Sequence, residues 1–184
     1  GLVDALVEGP GEEQICRLAG SAPDSKGAGG MPDYGHFEID QYMAPGRIIP
    51  YSASQGCYWQ QCSFCPERAE GNGYHPLPVA AAAKQVQGLC REYQPTLLHL
   101  LDNAISPALL TQFARMPPGA PWYGFARVTS QLQDEDFCRA LRTSGCVMLQ
   151  RGIESGSDRV LAGMNKGISS AEAARALRCL HAAG

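Results

Sequence analysis

The chain has 184 residues, 45% hydrophobic and 18% charged, which suits one globular domain with room for a short second segment. The net charge of −3 and the lack of a basic run argue against a nucleic-acid-binding surface. No apolar stretch approaches the roughly 20 residues of a membrane-spanning helix, and no signal peptide is visible. We therefore expect a cytoplasmic protein whose 8 cysteines are mostly reduced thiols.

The first part of the chain, residues 1–46, is predicted to be an irregular N-terminal segment. A short strand is predicted at Leu2–Val7, and a helix at Glu12–Ala19 after the turn residues Gly9, Pro10 and Gly11. Residues 20–33 are rich in Gly, Ser and Pro, which predicts a loop or linker. Residues 47–184 differ in pattern and are predicted to form a separate domain.

In that domain, apolar runs alternate with segments of helical periodicity. The strands are predicted at Ile48–Ser54, Thr96–Leu101, Trp122–Val128 and Cys146–Ile153. The helices are predicted at Val79–Tyr93, Pro107–Met116, Asp134–Thr143, Ser157–Met164 and Ser169–Ala183. The continuous apolar run Thr96–Leu101 is typical of a strand buried on both sides. Four successive β/α units predict an α/β fold with parallel strands, whose ligands bind at the carboxyl ends of the strands.

Three cysteines, Cys57, Cys62 and Cys65, lie within nine residues directly after the first predicted strand. Thiolates bind soft metals, and an iron–sulfur cube normally takes four of them. Three protein ligands would leave one iron open to a small molecule, which favours catalysis over simple electron transfer. The alternative is a zinc-stabilised, non-catalytic binding module in which His75 is the fourth ligand. The remaining cysteines are predicted to serve packing: Cys16, Cys90, Cys138, Cys146 and Cys179.

The segment Cys57-Tyr-Trp-Gln-Gln-Cys-Ser-Phe-Cys65 resembles the signature of the radical S-adenosylmethionine superfamily, C-x3-C-x-aromatic-C, with one extra residue in the first spacing. It is similar to the subgroup that carries a cobalamin-binding domain upstream. The resemblance implies an open, partial TIM-type barrel and a [4Fe–4S] cluster held by Cys57, Cys62 and Cys65. It also implies that Phe64 lies beside the adenine of S-adenosylmethionine.

A second stretch agrees with the first. Gly152-Ile-Glu-Ser-Gly-Ser-Asp158, followed by Met164-Asn-Lys-Gly167, resembles the fourth strand of that family and the turns after it. The resemblance implies that Glu154 accepts hydrogen bonds from the ammonium or ribose hydroxyls of S-adenosylmethionine. The alternative is a solvated carboxylate at a helix N-terminus. The Lys166-Gly167 pair is predicted to be a turn.

Three further residues at strand ends carry two interpretations each. Arg127 lies at the end of the third strand and either binds the methionine carboxylate or forms an ion pair with Glu154. Ser155 and Ser157 either contact the ribose or cap the following helix.

The reaction implied by the resemblance is reductive cleavage of S-adenosylmethionine to a 5′-deoxyadenosyl radical, which removes hydrogen from a small-molecule or peptide substrate. A reductase would supply the electron. The segment Val3–Glu12 resembles the closing strand and turn of a cobalamin-binding domain, or is an unrelated linker. With cobalamin in the parent protein, methyl transfer to carbon becomes the expected chemistry.

The first methionine is Met31, and four β/α units stand where the family usually has six, so we expect part of a longer protein. The fourth strand would then be an exposed edge that invites self-association. We also expect little or no cleavage of S-adenosylmethionine by this part alone.

Overall fold

The computed structural model describes residues 3–7, 11–21 and 30–184. The chain divides into two compact units, Gly1–Met31 and Pro32–Gly184. The predicted domain border at residue 46 stays a prediction.

The first unit contains one described helix, α1, at Glu12–Leu18, as predicted from the sequence. The predicted strand at Leu2–Val7 is wrong for residues 3–7, which adopt no strand conformation, and Leu2 lies outside the described residues. Most of the predicted loop at 20–33 also lies outside them.

The second unit is built on a sheet of four parallel strands. In chain order, its strands and a separate two-stranded antiparallel ribbon are β1 (Ile48–Tyr51), β2 (Ser54–Gln55), β3 (His75–Pro76), β4 (Leu97–Leu100), β5 (Trp122–Phe125) and β6 (Cys146–Gln150). The parallel sheet has the order β1-β4-β5-β6, and β2 pairs with β3. Helices alternate with the parallel strands, which confirms the α/β fold. The described residues form an open sheet and no closed barrel.

The helices of the second unit are α2 (Pro66–Ala69), α3 (Val79–Tyr93), α4 (Pro107–Arg115), α5 (Glu135–Thr143), α6 (Asp158–Gly163) and α7 (Ser170–Ala182). The five longer ones lie where the periodicity predicts them. Ser106 is the N-cap of α4, and its side chain accepts a hydrogen bond from Leu109 N at 3.2 Å. A capping box begins α7, where the side chains of Ser169 and Glu172 bond each other's backbone amides.

One face of the sheet carries the helices and the core. The core includes Ile49, Tyr51, Leu98, Leu100, Trp122 and Leu149 from the strands, together with Val86, Leu89, Phe113 and Leu141 from the helices. The prediction that the second strand is buried on both sides is wrong. β4 alternates between buried and partly buried residues because only one of its faces packs on helices. On the other face, His99 stacks on Tyr123 with ring centroids 4.2 Å apart.

Three of the four parallel strands end about three residues before their predicted ends. The residues that were assigned to those strand ends leave the ladder and form the carboxyl edge of the sheet. No helix among the described residues is long and apolar enough to cross a membrane.

Candidate functional site

The loops after parallel strands meet at the carboxyl edge of the sheet, and the predicted site residues lie there. Arg127 follows β5 and Glu154 follows β6. Both contact Lys166, since Arg127 Nη2 donates to its carbonyl oxygen and Lys166 Nζ lies 3.1 Å from Glu154 Oε1. Arg127 and Glu154 therefore lie on the same side of the sheet.

The cysteine loop, residues 57–65, follows β2. Cys62 is buried, with 7% of its surface exposed, and Cys57 and Cys65 are partly buried. All three are free thiols. Within the described parts of the chain, no group of three or more Cys, His, Asp or Glu side chains is arranged to hold a metal ion. The structure thus places the three thiols on one loop without gathering them into a ligand set.

His75, the fourth ligand of the zinc alternative, lies on β3 opposite Gln55 of β2 and is exposed. It is not gathered with the thiols in the described structure either. The geometry therefore gives no added support to a four-ligand zinc site.

Arg127 is buried at the carboxyl edge and contacts the cysteine loop. Its Nη1 donates to Cys62 Sγ at 3.6 Å, and its guanidinium lies 4.4 Å from the centroid of the Trp59 ring. The sequence alternative of an Arg127–Glu154 ion pair is wrong, because Glu154 pairs with Lys166 instead.

Glu154 has a left-handed backbone, with φ of 66°, and its carboxylate is partly exposed. Its partner Lys166 is buried, although the sequence indicated only a turn residue. Gly152 leaves room for the Glu154 side chain, since a Cβ on Gly152 would lie 2.3 Å from Glu154 Oε1. No spacing in the sequence signals the Glu154–Lys166 pair, because it depends on how two loops fold back.

Ser155 and Ser157 lie at the start of α6. Ser155 Oγ accepts a hydrogen bond from Ser157 N at 3.1 Å, which is a local bond at the helix start. Ser157 is the N-cap residue but its side chain makes no capping bond. Phe64 is half exposed, and Lys166 Nζ lies 5.5 Å from its ring centroid.

Asp102, which follows β4, holds the chain between β1 and the cysteine loop. Its buried carboxylate accepts hydrogen bonds from Ala53 N at 3.1 Å and from Ser54 Oγ at 2.6 Å. Burial raises the pKa of Asp102, while these hydrogen bonds oppose the shift. No local sequence pattern signals this buried carboxylate, because its partners lie 48 and 49 residues earlier in the chain.

A cavity of about 590 Å³ lies beside this carboxylate, between the first turns of α3 and α4. Its walls are mostly apolar, and the polar lining residues are Ser54, Tyr58, Tyr74, Asp102 and Ser106. Burial raises the pKa of Tyr58 to about 12, so its hydroxyl is protonated at neutral pH.

Comparisons with known proteins support the fold. No family model matches the chain. A curated relative from Pyrococcus horikoshii, "Uncharacterized methyltransferase PH0819", is 26% identical over 169 residues, which cover 84% of this chain and 36% of the relative.

Among solved structures, the cobalamin-dependent S-adenosylmethionine radical enzyme OxsB with aqua-cobalamin bound is similar, with a TM-score of 0.61 and 20% identity over 73% of this chain and 22% of OxsB. The radical S-adenosylmethionine methyltransferase TsrM from Kitasatospora setae, with cobalamin and a [4Fe–4S] cluster bound, gives a TM-score of 0.58 and 21% identity over 74% of this chain and 29% of TsrM. The chain thus spans about a third of the curated relative's length and less than a third of either solved chain. Two sequence stretches resemble the radical S-adenosylmethionine superfamily. The fold agrees with that resemblance, because the chain shares it with these two cobalamin-dependent enzymes of the superfamily.

Proposed function

We propose that the protein is a radical S-adenosylmethionine enzyme whose [4Fe–4S] cluster is held by Cys57, Cys62 and Cys65. One observation carries the proposal: three free thiols lie on one loop at the carboxyl edge of a parallel sheet, against a buried arginine. That edge is where parallel α/β folds bind ligands.

The donor set suits such a cluster. Thiolates are the usual ligands of iron–sulfur clusters, and three of them leave one iron free for another ligand. Cys57 and Cys65 are partly exposed, so metal can reach them, and Cys62 lies between them in the loop sequence. The loop has to adjust for all three to bind together, as is usual when a metal site forms on binding.

When bound, the cluster would supply the electron for reductive cleavage of S-adenosylmethionine. The residues of the chain would hold the ligand. Arg127 has a planar guanidinium suited to the methionine carboxylate, and its Nη1 becomes available to that anion if Cys62 turns to the metal. Glu154 would accept from the ammonium or ribose hydroxyls, and Phe64 would lie against the adenine.

Ser155 and Ser157 are proposed to line the ribose side of the same site, since both lie within three residues of Glu154. Ser155 Oγ accepts from Ser157 N, and the Ser157 hydroxyl makes no capping bond.

Methyl transfer with cobalamin is the proposed reaction of the whole protein. It rests on the relative named as a methyltransferase and on the two cobalamin-dependent enzymes of similar fold. The chain covers only part of each of them, so substrate and reductase are properties of the whole protein. We propose a cytoplasmic location because the reduced thiols of such a site need a reducing compartment.

Anaerobic reconstitution with iron and sulfide tests the cluster proposal. We expect about four irons and four sulfides per chain, a brown absorbance, and an electron paramagnetic resonance signal of the reduced chain that changes on adding S-adenosylmethionine. The triple variant Cys57→Ala, Cys62→Ala, Cys65→Ala should lose all three, whereas the control Cys16→Ala should keep them.

An unchanged iron content in the triple variant would show that the ligands lie elsewhere. A colourless chain that retains one tightly bound zinc would support the zinc-stabilised binding module instead.

A further inference from the structure

The docking turn, residues 163–167, begins at the last residue of α6 and faces the cysteine loop. Four consecutive backbone carbonyl groups of this turn accept hydrogen bonds from the loop or from Arg127. The donors are Ser63 Oγ to Gly163 O at 3.3 Å, Ser63 N to Met164 O at 2.9 Å, Trp59 Nε1 to Asn165 O at 3.2 Å and Arg127 Nη2 to Lys166 O. These hydrogen bonds attach the cysteine loop to the turn through the backbone and side chain of Ser63 and through the Trp59 side chain.

The turn is itself fixed to the fold. Lys166 N donates to Leu161 O at 3.0 Å, and Leu161 is a buried residue of α6. Asn165 and Gly167 have positive φ angles of 51° and 73°, which bend the chain back toward the sheet. The carbonyl groups are therefore presented from a rigid support.

The absence of a side chain at Gly167 leaves the space that the Trp59 ring occupies. A Cβ on Gly167 would lie 2.0 Å from Cζ2 of the Trp59 ring, so any side chain at this position overlaps the indole. The guanidinium of Arg127 also contacts this indole, 4.4 Å from its centroid, and donates to Cys62 Sγ. The position of Trp59 is thereby linked to the position of Cys62.

We propose that the docking turn positions the cysteine loop. The contact between Gly167 of the turn and Trp59 of the loop holds the loop in place before any metal binds. The benefit of this positioning rests on the proposed function, since a loop held in place keeps its thiols where the cluster would be assembled. The contacts themselves exist in the metal-free chain, so the proposal can be tested without a cluster.

The test measures thiol accessibility in the metal-free, reduced chain. Brief alkylation with iodoacetamide followed by peptide mass spectrometry gives a separate rate for each cysteine. In Gly167→Ala, we expect Cys62 to be alkylated several-fold faster than in the unsubstituted chain, because the displaced Trp59 releases the loop. Cys90, which is buried in the core, reports global unfolding and should remain slow.

Two control variants separate crowding from other effects. Gly20→Ala introduces similar backbone strain, with φ of 68°, where a Cβ meets nothing within 4 Å. Gly71→Ala introduces the same kind of strain in the second unit, with φ of 74°, at a position where a Cβ also meets nothing within 4 Å. Both should leave the alkylation rate of Cys62 unchanged.

A double-mutant cycle isolates the contact. In a Trp59→Ala background the loop has already lost its anchor, so adding Gly167→Ala should not accelerate Cys62 further. Equal Cys62 rates in Gly167→Ala and the unsubstituted chain would overturn the proposal, as would a matching acceleration at Cys90.

Iron reconstitution of the same variants separates this proposal from the proposed function. If the unsubstituted chain binds no iron while Cys62 is still released by Gly167→Ala, the cluster assignment fails and the positioning role stands. If the unsubstituted chain binds iron and Gly167→Ala does not release Cys62, the cluster assignment stands and the positioning role fails. We expect Gly167→Ala to take up iron more slowly than both controls.

Discussion

At the scale of single residues, the carboxyl edge is organised by buried polar side chains whose partners lie on other loops. Asp102 holds Ala53 and Ser54 ahead of the cysteine loop, and Arg127 contacts Cys62 within it. Because an unpaired buried polar group is costly, these hydrogen bonds hold the cysteine loop in position. The same side chains remain candidates for ligand binding.

Truncation of Asp102 should destabilise the fold. Asp102→Ala leaves Ala53 N and Ser54 Oγ without their acceptor, and we expect the free energy of unfolding to fall by about 1–3 kcal/mol. Asp102→Asn keeps one acceptor and one polar partner for the serine, so its loss should be smaller. Denaturant unfolding followed by circular dichroism measures both. Equal losses in the two variants would contradict the assigned hydrogen bonds.

The same carboxyl group should make stability depend on pH. Burial raises the pKa of Asp102 in the folded chain above its ordinary value of about 3.9, so the folded state binds the proton more tightly. Its contribution is therefore fully present below about pH 4 and is lost as the pH rises through the folded pKa. Relative to Asp102→Asn, the unsubstituted chain should lose stability over that rise. If the free energy of unfolding varied with pH in the same way in both proteins, the pKa of Asp102 would not be raised by folding.

Sequence patterns at this scale identified residue types better than partners. The cysteines, Arg127 and Glu154 were found because their spacing and their place after strands are local features. Lys166 was taken for a turn residue, since its pairing with Glu154 depends on two loops meeting in space. Trp59 drew no prediction, because the contact with Gly167 that locates it spans more than 100 residues.

At the scale of elements, the helices followed the sequence closely because caps and periodicity are encoded locally. The strands followed it in number and order, but their ends were predicted too long. Ala126 and Val128 stay buried although β5 ends at Phe125, so burial continues past the end of the strand. The short ribbon of β2 and β3 has too few residues to leave any periodic signal.

The capping box of α7 gives a test at this scale. Ser169→Ala removes the side chain that accepts from Glu172 N, and we expect a loss of about 1 kcal/mol in the free energy of unfolding. Ser157→Ala is the matched control, because Ser157 begins α6 without a side-chain capping bond. Urea unfolding should show a clear loss for the first variant alone. Similar losses in both would mean that the cap adds little.

At the scale of the whole molecule, the sheet exposes one side of β6. β6 pairs only with β5 among the described residues, and Val147 and Met148 on it are 49% and 45% exposed. One of its carbonyl groups, that of Cys146, accepts from Arg142 Nη1 at 3.2 Å. An apolar edge strand of this kind can pair with another chain, as the sequence predicted.

We therefore expect the 184-residue chain to self-associate through β6 in a concentration-dependent way. A lysine on an edge strand disfavours pairing, because the charge would be buried between chains. Val147→Lys should shift the population toward monomer in light scattering coupled to size-exclusion chromatography. Met116→Lys is the control, since Met116 is 50% exposed and lies outside the strands. A monomer at every concentration tested, or an equal shift in both variants, would remove β6 as the self-association surface.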